Sequence, residues 1–71
     1  MIEIDVRGLS CPIPVIRVRE AIEQHPGEEI RVYIDTMVTV ENVTRMAENK
    51  GMQAAAPEER DDEFVLELKP A

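Results

Sequence analysis

A second cysteine is absent: Cys11 is alone among 71 residues. That excludes an intramolecular disulfide, a dithiol redox cycle within the chain and the disulfide staples of small secreted scaffolds. Tryptophan is also missing, and Tyr33 and Phe64 are the only aromatic residues. The core must come from Ile, Val, Leu, Met and Ala, which predicts modest stability. Basic residues are few and scattered, 8 Lys and Arg against 15 Asp and Glu, for a net charge of −7. A phosphate-tracking surface, and with it nucleic-acid binding, is not expected. The acid excess suits solubility or attraction to a basic partner. No apolar run approaches the ~20 residues that span a bilayer. Met1-Ile2-Glu3-Ile4-Asp5 lacks the basic and apolar regions of a signal peptide, so the cytoplasm is the expected location.

What is present fits one domain over residues 1–71, 44% hydrophobic and 32% charged. Ile2, Ile4 and Val6 alternate with Glu3, Asp5 and Arg7 as in a half-buried strand that Gly8 ends. A helix is predicted from about Pro12 to His25, with Val15, Val18 and Ile22 on one face and Ala21 beside them. His25-Pro26-Gly27 stops it. Ile30, Val32 and Ile34 mark a second strand. A second helix runs from Val38 or Val40 to Lys50, with Thr39 or Thr36 as N-cap and Gly51 past its end. Met52 to Ala56 reads as a weak strand, Glu58 to Asp62 as a charged turn, and Phe64, Leu66 and Leu68 as the inward side of a final strand. The order β-α-β-α-β-β, with right-handed crossovers, predicts a two-layer α/β sandwich: two helices on one face of a four-stranded mixed sheet. If the first two strands are parallel, the turn carrying Cys11 lies beside Asp35-Thr36-Met37-Val38.

Cys11 therefore stands between a strand and a helix, followed by Pro12-Ile13-Pro14. Proline is tolerated in a first helical turn, where its missing N–H costs nothing. At such a helix mouth, free N–H groups and the dipole favour a thiolate, the nucleophilic form of cysteine. A lone cysteine is as readily a small buried hydrophobe, and both alternatives stand here. A hydrolytic dyad needs a base in hydrogen-bond reach, and the only histidine, His25, is about 20 Å away along the predicted helix. The same separation rules out a zinc site from these two residues. Glu58, Glu59, Asp61, Asp62 and Glu63 lack calcium-loop spacing, and no phosphate-binding glycine loop is present; neither metal nor cofactor is expected. Asp5 and Arg7 are placed for a local ion pair, from which Arg7 could also bias the sulfur. Met37 and Val38 are either apolar docking surface or packing under the second helix. A reactive thiol without base, metal or second thiol suits a carrier that exchanges sulfane sulfur with partners.

Asp5-x-Arg7-Gly8-Leu9-x-Cys11-Pro12-x-Pro14, the spacing to Asp35 and the element order resemble the small TusA/SirA/YedF-type sulfur carriers across the whole chain. The resemblance implies a fold similar to the C-terminal domain of translation initiation factor three. It implies a persulfide on Cys11, received from a cysteine desulfurase or rhodanese-like donor and passed to an acceptor protein. Pro12 and Pro14 would shape the turn, with Asp5, Arg7, Gly8 and Leu9 serving its geometry, and Asp35, Met37 and Val38 offering partner surface. Val40 to Ala47, and Thr36 where tRNA-thiolation members commonly have proline, look closer to the YedF-like branch, which is linked with selenium metabolism. Members of that branch often carry a second domain, so the chain is either a stand-alone carrier or an excised domain. The alternatives are a regulatory or nucleic-acid-binding module of the same fold without sulfur transfer, and a thiol redox sensor.

Overall fold

The computed structural model describes residues 1–71 and forms the expected elements with one addition. They are β1 (Ile2–Asp5), α1 (Ile13–Gln24), β2 (Ile30–Ile34), α2 (Met37–Asn49), β3 (Met52–Ala54), β4 (Glu58–Arg60) and β5 (Glu63–Pro70). The sheet path is β1-β2-β5-β3, with β4 pairing β5 off that path. β1 runs parallel to β2, with Ile2 opposite Ile30 and Asp5 opposite Tyr33. β5 is antiparallel to β2, β3 and β4. Two helices therefore pack on a mixed sheet, as the α/β sandwich requires.

The sheet has five strands where the sequence predicts four. Residues 58–60, expected in a charged turn, form β4 against Glu63–Val65. The turn shrinks to Asp61 and Asp62, with φ of 50° and 65°, the left-handed pair that a two-residue hairpin loop demands. Glu58, Glu59 and Arg60 are all exposed. No hydrophobic alternation advertises the strand, because its ladder and turn hold it rather than burial. β3 and β4 lie along the same strand, interrupted at residues 55–57. Ala55 N–H still reaches the Glu67 carbonyl at 2.9 Å, while Pro57 has no donor to continue the ladder.

Thirteen buried residues make one aliphatic core. Its centre is Val18 of α1, Val43 and Ala47 of α2, and Val32, Leu66 and Leu68 of the sheet, each 0% exposed. No aromatic residue belongs to it; Phe64 packs against its margin. On α1 the buried stripe is Pro14, Val18, Ala21 and Ile22. Val15 packs half-buried against the core as expected, and Pro14 joins the stripe because it lies one turn before Val18 on the same face. α2 starts at Met37, earlier than expected, because Thr36 caps it: Thr36 Oγ1 accepts from Thr39 N–H at 3.3 Å. Gly51 follows with φ +83°, as a helix C-terminus favours.

Leu66→Ala should cost about 2–5 kcal/mol by leaving a cavity, whereas Thr36→Ala should cost about 1 kcal/mol through the lost cap. Urea unfolding checks both, with the midpoint shifting and the slope unchanged.

Candidate functional site

Parallel pairing of β1 with β2 puts both strand C-termini, and both helix N-termini, at one edge of the sandwich. The turn from β1 to α1 opens with Val6, whose N–H donates to the Tyr33 carbonyl at 3.0 Å and whose side chain is buried. Gly8 follows with φ +77°. A Cβ there would meet nothing within 4 Å, so glycine is required by backbone conformation rather than by space. Gly8 N–H donates to Asp35 Oδ2 at 2.8 Å, which brings the two loops together as the topology predicts. Leu9 packs against the core, and Ser10 accepts from Ile13 N–H at 2.9 Å.

Cys11 is exposed and unpaired, so the buried-hydrophobe alternative does not hold. No surface depression is lined by it; the three present lie on the open sheet face, beside α2 and along the β4–β5 hairpin. The Cys11–Pro12 peptide is cis, and Pro12 occupies the N-cap position without a side-chain cap. The expected cluster of free amides in the first turn of α1 is reduced to one. Pro12 and Pro14 have no N–H, Ile13 N–H is taken by Ser10, Ile16 N–H by Pro12, and among residues 12–16 only Val15 N–H lacks a backbone acceptor. The residues that fix the turn also remove its donors. What the turn provides is an exposed sulfur.

Arg7 is turned toward the open sheet face. Its Nε and Nη2 donate to the two Asp5 oxygens at 2.9 and 2.7 Å, and Nη1 donates to Glu63 Oε1 at 2.8 Å. The guanidinium lies 5.8 Å from the Tyr33 ring centroid. The Asp5–Arg7 pair is as expected, but with its donors engaged by two carboxylates Arg7 does not pair with the sulfur. Side-chain hydrogen bonds from Arg7, and then its backbone N–H, hold the Asp5 carboxyl down at about 2. The same partners push Arg7 above its ordinary range. Glu63 escapes sequence reasoning because it is 56 residues from Arg7, and only the sheet brings them together. His25 ends α1 at the far side, 3.4 Å from Glu28.

Met37 and Val38 are 45% and 69% exposed, which decides against packing under α2. Ile13 and Ile16, 42% and 36% exposed, join them from the first turns of α1. The sequence signal for these two is that neither falls on the stripe of Pro14, Val18, Ala21 and Ile22. Four large apolar side chains thus stand exposed on the first turns of the two helices that start at the edge carrying Cys11, and exposed apolar surface of this kind marks interaction sites.

The sequence model for sulfurtransferase TusA matches residues 2–69. The chain belongs to the TusA family. A candidate sulfur carrier protein of Methanocaldococcus jannaschii is 37% identical over 70 residues, covering 97% of this chain and 93% of that protein. The crystal structure of a SirA-like protein of Desulfitobacterium hafniense superposes with a TM-score of 0.89 at 32% identity, covering 97% of this chain and 96% of the other. The TusA-family fold is therefore shared from end to end. No helix is long and apolar enough to cross a membrane.

The Asp5 carboxyl should titrate near 2, below its ordinary 3.8. Because the folded value is the lower one, the pairing stabilises the fold fully above about pH 4 and is lost as pH falls through 2. Carbon-13 NMR titration should show the Asp5 midpoint rising toward 3.8 in Arg7→Gln.

Proposed function

We propose that this TusA-family chain is a sulfur carrier in which Cys11 alternates between thiolate and persulfide. The Cys11 thiolate attacks the outer sulfur of a donor's persulfide. The donor's S–S bond breaks, the donor leaves as a thiolate, and Cys11-S-SH forms. An acceptor nucleophile then takes that outer sulfur, and Cys11 leaves as the thiolate. No electron or cofactor is consumed. The observation that carries this proposal is an exposed lone thiol outside every cavity and beside four exposed apolar side chains. Small-molecule chemistry is favoured by enclosure; a sulfur that must meet a sulfur on another protein is favoured by protrusion.

In this proposal Pro12 and Pro14 set the backbone after the sulfur, and Asp5, Arg7, Gly8 and Leu9 hold the turn that precedes it. Met37, Val38, Ile13 and Ile16 receive the partner, with Asp35 at the margin of that surface. The donor is a cysteine desulfurase or a rhodanese-like protein, and the acceptor a further protein of a sulfur relay. Thr36 and the 40–47 segment favour the YedF-like branch and its selenium link. The 71 residues act as one carrier domain in the cytoplasm, where reducing conditions keep a single thiol free.

Incubation with a cysteine desulfurase and cysteine should add one sulfur to wild type and none to Cys11→Ala, as read by intact mass. Failure to load from several desulfurases and rhodanese-like donors overturns the proposal. Val38→Asp should raise KM for the carrier about tenfold with kcat retained, as loss of an apolar anchor does.

A further inference from the structure

We infer that Asp35 is a positioning residue that holds the cysteine turn against the start of α2, rather than a contact for the partner. The inference rests on the carrier reading and adds to it an internal role for this carboxylate. Asp35 Oδ2 accepts from Gly8 N–H at 2.8 Å, across 27 residues of sequence. Among residues 8–12, this is the one hydrogen bond that reaches beyond the turn and the first turn of α1. The remaining bonds are local: Leu9 N–H to the Val6 carbonyl at 3.4 Å, Ile13 N–H to Ser10 at 2.9 Å and Ile16 N–H to Pro12 at 3.2 Å.

Asp35 is itself fixed on both sides. It follows directly on β2, whose Ile34 is 0% exposed, and precedes Thr36, the side-chain cap of α2. Its carboxylate is therefore a strut between the end of β2 and the glycine of the turn. Gly8 needs such a strut because its left-handed φ of +77° comes from a residue with wide conformational freedom. Met37 and Val38 begin α2 immediately after the cap. The Asp35–Gly8 bond thus sets where Cys11 stands relative to the apolar pair that receives the partner. A partner docked on that pair finds the sulfur in line for attack only while the bond is made, and misplacement by a fraction of a turn slows a step that depends on approach geometry.

The roles separate in the kinetics. Loss of a positioning bond leaves docking intact, so sulfur uptake from a cysteine desulfurase should fall in kcat with KM unchanged. Loss of a partner contact should raise KM in a salt-dependent way. Asp35→Ala is expected to lower kcat about tenfold, with faster hydrogen exchange at the Gly8 amide. Asp35→Asn retains an acceptor oxygen without the charge and should stay within about twofold of wild type. Asp35→Glu keeps the charge but moves the acceptor by a methylene, and should resemble Ala. The inference is overturned if Asn is as damaging as Ala while Glu is tolerated, if the defect lies in KM and scales with salt, or if Ala matches wild type. A wild type that never loads sulfur defeats the carrier proposal instead, and Gly8 exchange in Asp35→Ala and Asp35→Asn still tests the strut.

Discussion

The parallel pairing of β1 with β2 is the constraint on which the rest of the molecule depends. Two parallel neighbours must be joined by a crossover, here α1, and a right-handed crossover lays that helix on one face of the sheet. The same geometry sends the β1–α1 and β2–α2 connections out at one edge. An antiparallel pair would put them at opposite edges, and the cysteine turn could not reach Asp35. Register refines the result. With Asp5 opposite Tyr33, the chain leaves β1 so that Arg7 reaches the Tyr33 ring and the β5 hairpin, while Gly8 reaches Asp35.

The cysteine turn resolves a conflict between activation and exposure. A helix mouth rich in amides would grip a thiolate, yet this one spends two of its positions on proline and a third amide on Ser10. The gain is a backbone with little freedom to fold the sulfur back onto the protein. For a group whose partner arrives on another macromolecule, access and fixed direction outweigh a local donor set. The apolar side chains of both first helical turns are what such a partner meets.

Stability comes from elsewhere. The core is aliphatic and small, and no buried side-chain polar atom lacks a hydrogen-bond partner. Six ion pairs surround it, but their side chains are 35–65% exposed, so solvent screens them and their contribution is small. The Arg7 cluster organises a loop more than it holds the fold together.

What the sequence determined by itself was local: the periodicity of β1, β2, α1, α2 and β5, the Gly8 and Pro12-Ile13-Pro14 punctuation, and the isolation of Cys11 from any base or second thiol. Side-chain period and turn chemistry act over a few residues, so they are legible in the chain. β4 was not legible, because a strand exposed at all three positions has no burial pattern to display. The exposure of Met37 and Val38 waited on the phase of α2, which the Thr36 cap sets so that Val40, Val43 and Ala47 turn inward. Glu63 on Arg7 and Asp35 on Gly8 join positions 56 and 27 residues apart. Only the tertiary structure decides such pairs, because strand order and register, not chain neighbourhood, bring the partners within a hydrogen bond's length.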